Sequence, residues 1–491
     1  MKVVSKLVVC AAAMSLLLVN ESWAQLGGGA IGGSVLDSSG AAIVGAKVAA
    51  TNVATNVVSR TVTNDTGYFE FPVLPAGRYV LEAENTGFER AKTAEFSLNS
   101  GTRPRFDLKM VVGQATESVQ VVDAAPLVNA TTADLGVVVD QSKVEALPLN
   151  GRDFQQLVGL QPGVYADPDS NNGQRGGIEF NGASAFGNNL LMDGVDMSFG
   201  ETSASASDKA AGTEANATVG RFAGQGIGRG SLVNTISVEA IQEFKATGSA
   251  FSAEYGRATG GVINVTTKSG TNQFHGTLLE FFRNDKLDAN NFFSNRIGLP
   301  KPPLRWNQYG ANLGGPIKRD KLFFFFNYEG ARASQSQPQT GNVPTPLLLS
   351  MVTPAIRQNL SLLPSPTSST PNPLVGFNYH NDSRKNNENT FVSRGDVELG
   401  KQRLSLRYNY NHQDYSVPNL IPISPTLFPT RFHNAEIADT AAISPTKVNE
   451  WRLGFNRIDE FRHDVAFDST PNFLPRRGNL WVTASVSEPA R

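Results

Sequence analysis

The sequence predicts a mainly β chain: an N-terminal β-sandwich, an α+β middle, and an incomplete antiparallel transmembrane β-barrel. Three observations carry this. Short alternating runs separated by turn residues fill residues 27–110. Glycine-broken strands mixed with short helical patches follow to residue 270. Beyond that, alternating runs are joined by short turns and long loops in alternation, as in a membrane barrel.

The 491 residues exceed one hydrophobic core and suggest several domains. A net charge of −1 provides no long-range field for nucleic acid, so no nucleic-acid partner is expected. The 46 glycines and a charged fraction of 18% suit a turn-rich β protein.

Residues 1–24 read as a signal peptide. Lys2 and Lys6 supply the positive start, and the apolar run Leu7–Val19 is too short to span a bilayer. Ser22-Trp23-Ala24 predicts cleavage between Ala24 and Gln25. Cys10, the one cysteine, lies inside that run, so the mature chain is expected to have neither disulfides nor thiolate metal sites. An exported chain without a spanning helix is either soluble or a barrel.

In the sandwich (27–110) the predicted strands centre on Ser34–Leu36, Ala46–Ala50, Tyr68–Phe71, Tyr79–Ala83 and Phe106–Leu108, with turns at Asp37–Gly40, Asn64–Gly67, Pro75–Gly77 and Asn85–Gly87. Tyr68, Phe69 and Phe71 are expected in its core. Residues 111–130 form a linker in which Glu117–Val122 is extended and β-branched.

In residues 131–270, Phe154, Leu157 and Val158 share one helical face behind Asn150–Asp153, and Pro162-Gly163 stops the helix. Asn188–Val195 reads as a strand entering an Asp193-Gly194 hairpin turn. Residues 200–235 are a small-residue loop whose alternate glycines do not match a phosphate cradle. Val238–Gly276 predicts a helical patch, a strand, a turn of helix and the strand Val262–Thr267. Gly260-Gly261 before that last strand permits close backbone approach.

In residues 271–491 about seven strands are expected, near 274–283, 306–314, 321–330, 390–399, 402–412, 434–443 and 447–458. Leu404, Leu406, Tyr408 and Tyr410 share one face, and Arg403, Ser405, Arg407 and Asn409 the other. Trp451, Leu453 and Phe455 oppose Glu450, Arg452, Gly454 and Asn456 in the same manner. Apolar groups would meet lipid and polar groups a wet lumen. The Phe run of Leu322–Tyr328 is apolar on both faces. Long loops are expected near 331–389 and 413–433.

The motifs Gly67-Tyr68-Phe69-x-Phe71 and Leu74-Pro75-Ala76-Gly77-x-Tyr79 resemble the carboxypeptidase regulatory-like family, whose fold is transthyretin-like or carbohydrate-binding-like. That segment has no histidine, so a His/Glu/His zinc set cannot form within it. LPLNGRDFQQLVGLQPGV, NNLLMDGVD and EYG…GGVINVTTKSG resemble, in that order, the plug of TonB-dependent outer-membrane receptors of the Oar-like branch.

The resemblance implies an outer-membrane receptor that takes up a large, scarce substrate such as a siderophore or a glycan. Its partners would be outer-membrane lipid, the barrel-assembly machinery and a TonB-type energy-coupling protein. The TonB box would fall on Glu117, Ser118, Val119, Gln120, Val121 and Val122, binding by β-augmentation; a plain interdomain strand is the alternative. Transporters of this kind have about 22 strands. Seven leave open edges, and the polar residues Ser487–Arg491 lack a terminal aromatic, so the chain is expected to be part of a longer receptor, not functional alone.

No catalytic residue, metal site or cofactor is expected. His275, His380, His412, His433 and His463 form no H-E-x-x-H, and no nucleophile elbow or Walker loop occurs. The acid pairs Asp193/Asp196 and Asp459/Glu460 read as solvated. A carbohydrate-binding or adhesion protein using the sandwich is the rival to a transporter.

Overall fold

A computed structural model describes residues 28–113, 118–121, 135–149, 152, 154–166, 178–183, 187–197, 236–249, 251, 255–256, 258–290, 292–296, 298, 300–418, 420, 425–444, 447–460, 463–464 and 479–487. The expected leader and its cleavage site at Ala24/Gln25 lie outside them. So do Glu117, Val122 and the loop 200–235.

The N-terminal part holds β1 (Gly29–Asp37), β2 (Lys47–Asn52), β3 (Val58–Val62), β4 (Tyr68–Leu74), β5 (Gly77–Glu84), β6 (Arg90–Thr93), β7 (Phe96–Leu98), β8 (Arg105–Met110) and β9 (Ser118–Val121). They form two sheets, β4-β1-β8 and β3-β2-β5-β6-β9, with β7 also on β5. Alternate residues face inward, and Ile31, Val35, Val48, Phe69, Phe71, Leu81, Phe106 and Leu108 make the core between the sheets. Tyr79 is buried there too and its hydroxyl donates to the Pro75 carbonyl at 3.0 Å; burial pushes its pKa up to about 12. Phe69 and Phe71 are core residues as expected. Tyr68 is not: it alternates to the other face of β4 and is half-buried.

The central unit comprises β10 (Leu135–Asp140), β11 (Val164–Ala166), β12 (Ile178–Phe180), β13 (Asn189–Met192), β14 (Val195–Asp196), β15 (Ile241–Ser249) and β16 (Val262–Thr267), with helices α1 (Gln141–Ala146) and α2 (Gln155–Val158). Its sheet runs β10-β15-β16-β13-β14. Asp140 caps α1 by accepting from the Lys143 N–H at 3.0 Å. Phe154, Leu157 and Val158 are all buried, as their spacing predicts. Asp193 (φ 49°) and Gly194 (φ 81°) make the hairpin turn between β13 and β14. Gly261 lies where any side chain would strike the Phe180 ring, which is the close approach that the paired glycines allow.

The third part is a large antiparallel sheet: β17 (His275–Asn284), β18 (Leu304–Lys318), β19 (Leu322–Pro344), β20 (Ser368–Ser369), β21 (Val375–Leu399), β22 (Gln402–Val417), β23 (Thr426–Ser444), β24 (Lys447–Glu460), β25 (His463–Asp464) and β26 (Asn479–Ser487). Its path is β17-β18-β19-β21-β22-β23-β24-β26, with β20 on β21 and β25 on β23. The path therefore adds one long strand, β26, to the seven read from alternation. β17 and β26 are its two ends, so among the described residues the sheet is open. Gly400, at φ 72°, closes the tight turn between β21 and β22, where Leu399 pairs Gln402.

The expected long loops are shorter than predicted. β19 and β21 pair from Leu322↔Val397 to Pro344↔Val375, leaving residues 345–374, which hold helices Pro346–Met351 and Pro354–Leu360. Likewise β22 and β23 extend to Val417↔Thr426.

Candidate functional site

The large sheet inverts the usual distribution of polarity. On β22, Leu406 and Tyr408 are each 43% exposed, while Arg407, Asn409, Asn411 and Gln413 are buried. On β24, Trp451 and Leu453 are exposed and Glu450, Arg452 and Asn456 buried. In a soluble sandwich the apolar face would be the inner one. Here the polar face turns inward, against the central unit, and the apolar face outward.

The inner face also carries apolar side chains, of which Phe325, Val392, Phe432 and Ile458 join the core of the central unit, with Phe154, Phe180, Leu190 and Phe244. This accounts for the two-sided Phe run of β19. Its inner residues Phe323 and Phe325 are buried, and its outer residue Phe326 is exposed to the same medium as Leu406.

The charged contacts converge on the Asp193-Gly194 turn. Asp193 meets the Arg407 Nε at 2.7 Å and the Arg394 Nη1 at 3.3 Å. It also accepts from the Thr267 N–H at 2.9 Å and hydroxyl at 2.7 Å. Arg407 donates in addition to the Met192 carbonyl at 3.1 Å and pairs with Glu436 at 3.2 Å. Glu436 pairs with Arg452 at 3.2 Å, and Arg452 with Glu450 at 2.5 Å. Arg394 and Arg403 share Asp396, at 3.0 and 2.9 Å. Burial pushes the Asp193 carboxyl up; Arg394, Arg407 and the Thr267 N–H outweigh it and hold the group below its ordinary range. Asp193 is therefore not the solvated acid that its sequence context suggested. The turn has no spare room, because a side chain at Gly194 would run into the Arg452 guanidinium.

A second cluster clamps the other side of the central unit. Arg152 pairs with Glu239 at 2.7 Å, lies 3.9 Å from Glu329 and sits over the Phe281 ring at 4.5 Å. Ser237 donates to Glu329 at 2.6 Å. These partners come from four separated stretches of chain. Glu329 alone carries a signal in the sequence, charge on the inward face of a strand, as Arg403 and Arg407 do; Arg152 and Glu239 lie outside the strands and carry none.

The sandwich docks beneath both. The Ser100 N–H donates to Glu243 Oε1 at 2.5 Å, and the Ser100 and Thr266 hydroxyls are 3.1 Å apart. Lys245 Nζ donates to the Gly101 carbonyl at 3.1 Å. Asn272, in the turn ahead of β17, donates to the carbonyls of Ala54 and Thr55 at 2.9 and 2.7 Å. Burial raises the Glu243 pKa, and Ser100 offsets this only in part.

Of the predicted partner-binding residues, Ser118–Val121 form β9, paired in parallel with β6; Glu117 and Val122 lie outside the described residues. Among the described residues no group of three or more His, Cys, Asp or Glu could hold a metal ion.

Residues 266–350 and 346–476 match an outer membrane beta barrel domain family, and residues 30–111 a carboxypeptidase regulatory-like domain family. The chain is 27% identical over 293 residues to the TonB-dependent transporter Oar of Myxococcus xanthus, covering 57% of this chain and 24% of that protein. It is 29% identical over 206 residues to the probable TonB-dependent siderophore receptor PirA of Acinetobacter baumannii, covering 40% of this chain and 23% of the relative. The matches thus span about a quarter of each relative's length. Among solved structures, the outer membrane transporter YddB of Escherichia coli aligns with a TM-score of 0.48 at 13% identity, over 67% of this chain and 40% of that one.

Proposed function

We propose that this homologue of the TonB-dependent transporter Oar, an outer-membrane β-barrel protein with a carboxypeptidase regulatory-like domain, acts in substrate uptake. The substrate class is large and scarce, a siderophore or a glycan-like molecule. The central unit is the plug, and the inward face of the large sheet is the lumen wall that holds it. A TonB-type energy-coupling protein would take Glu117–Val122 as an added strand and pull. Force would shift the plug between a seated and an unseated state, so no bond in the substrate is broken. The relatives are transporters and receptors rather than enzymes, which supports a binding and transport role.

The observation that carries this reading is the burial of Arg407, Asn409, Glu436 and Arg452 against the Asp193-Gly194 turn while Leu406, Tyr408 and Leu453 face outward. In the ionic seat each buried charge depends on its partner, so the two bodies fit together in one way, and its polar groups can be re-wetted when the plug moves. The test is energy-dependent uptake from a panel of ferric siderophores and oligosaccharides by cells expressing the complete receptor. Deleting Glu117–Val122 is expected to abolish accumulation and to leave surface binding intact. Normal accumulation in the deletion strain would sink the proposal.

A further inference from the structure

The strand offered to the coupling partner is already paired along one edge. Ser118–Val121 pair in parallel with β6 of the sandwich, in the register Arg90↔Ser118, Ala91↔Val119, Lys92↔Gln120 and Thr93↔Val121. The chain is guided there. After β8 the Glu89 N–H donates to the Val111 carbonyl at 2.8 Å and the Gly113 N–H to the Gly87 carbonyl at 3.1 Å, around a bridge between Phe88 and Val112. β9 is the terminal strand of its sheet.

We propose that the sandwich acts as a clutch on the coupling segment: β6 holds Ser118–Val121, and the partner must strip β9 from β6 before its pull can reach the plug. This rests on the assignment of that segment as the coupling strand. The argument is one of load path. The chain leads from β9 through residues 122–134 to β10 of the plug. While β9 is paired to β6, tension applied at β9 passes into the sandwich. The sandwich is tied to the plug by Ser100–Glu243 and Lys245–Gly101, and to the turn ahead of β17 by Asn272. Force would then be shared across docked bodies instead of extracting one strand. Opening the ladder removes the shunt.

The pairing suits a releasable contact. It is four residues long and parallel, the weaker of the two ladder types per residue. Its loss leaves β6 paired to β5 through Glu82↔Lys92 and Ala83↔Ala91, so the sandwich core stays closed.

The register supplies the test. In the complete receptor on a Cys10→Ser background, Lys92→Cys and Gln120→Cys place two thiols on register partners. Oxidation in whole cells is expected to join them. Energy-dependent uptake of the siderophore and oligosaccharide panel by those cells should then fall at least tenfold and return on reduction, while the soluble periplasmic domain of the host's energy-coupling protein still captures the solubilised receptor through the open edge of β9. Failure of the two cysteines to join overturns the pairing. Equal uptake in both redox states overturns the clutch while leaving the coupling strand intact. Capture by the reduced protein that persists after deletion of Glu117–Val122 overturns the coupling assignment itself, and the clutch with it.

Discussion

The sandwich and the large sheet are both built from alternating strands, yet they turn opposite faces inward. In the sandwich, Val48, Leu81 and Phe106 are inside and Arg60, Arg78 and Arg105 outside. In the large sheet, Arg407 and Glu436 are inside and Leu406 and Ile437 outside. Alternation therefore identifies a strand without saying which face is covered. The surroundings decide that: water selects polar residues for the outside of the sandwich, lipid selects apolar ones for the outside of the sheet, and the central unit supplies partners for the charges within.

The comparison breaks most readily at the ionic seat. Asp193→Ala leaves two buried guanidinium groups short of a carboxylate and is expected to cost about 3–5 kcal/mol, read as a lower urea midpoint for release of the central unit. An exposed ion pair in the sandwich is the control. Lys92–Glu82, at 2.8 Å with both side chains more than 40% exposed, should lose less than about 1 kcal/mol in Lys92→Ala.

A second contrast uses two residues of nearly equal exposure, Leu406 at 43% and Val62 at 47%. Leu406→Arg puts a charge against lipid and is expected to cost about 2–4 kcal/mol if it lies near the bilayer midplane. Val62→Arg faces water and should stay within about 0.5 kcal/mol. Equal losses in folding titrations of the two would show that the outer face of the large sheet is wet.

The third contrast sets two buried carboxylates against each other. Asp193 has a lowered pKa, so its contribution is present above the ordinary aspartate range and is lost as pH falls through the folded value. Glu243 has a raised pKa, so the native state keeps its proton to higher pH than the unfolded chain. Its docking is strongest in acid and weakens as pH rises through and above the ordinary glutamate range. Melting between about pH 3 and pH 8 should show Glu243→Gln losing that alkaline decline and Asp193→Asn losing the acid one. The expected changes are smaller than either contrast above.

How much of this could be read from the sequence varies by region for a physical reason. The membrane-crossing parts of β21, β22 and β24 were legible because lipid outside and charge inside enforce strict alternation. The upper parts of β19 and β21, Gln335–Pro344 and Val375–Asn387, were read as loop because SQSQPQTGNVP and HNDSRKNNEN are polar at almost every position. A strand polar on both faces leaves no period to find, even though Asn378 and Asn386 are buried. The hairpin turn at Asp193-Gly194 was legible from two residues, whereas its burial was not. Its partners Arg394, Arg407 and the Glu436–Arg452 pair lie 200 or more residues away. The docking of Ser100 on Glu243 was hidden for the same reason, and so was the pairing of Ser118–Val121 with β6.

Length itself has a consequence. β19 has 23 residues and β21 has 25. At about 3.4 Å per residue β19 measures about 75 Å, and crossing the hydrocarbon takes only about ten residues. About a dozen residues of each strand therefore rise beyond the bilayer as one laddered blade, topped by the two short helices between them. If the chain takes up a solute as proposed, the solute would meet here a stiff ladder where a loop would have been yielding.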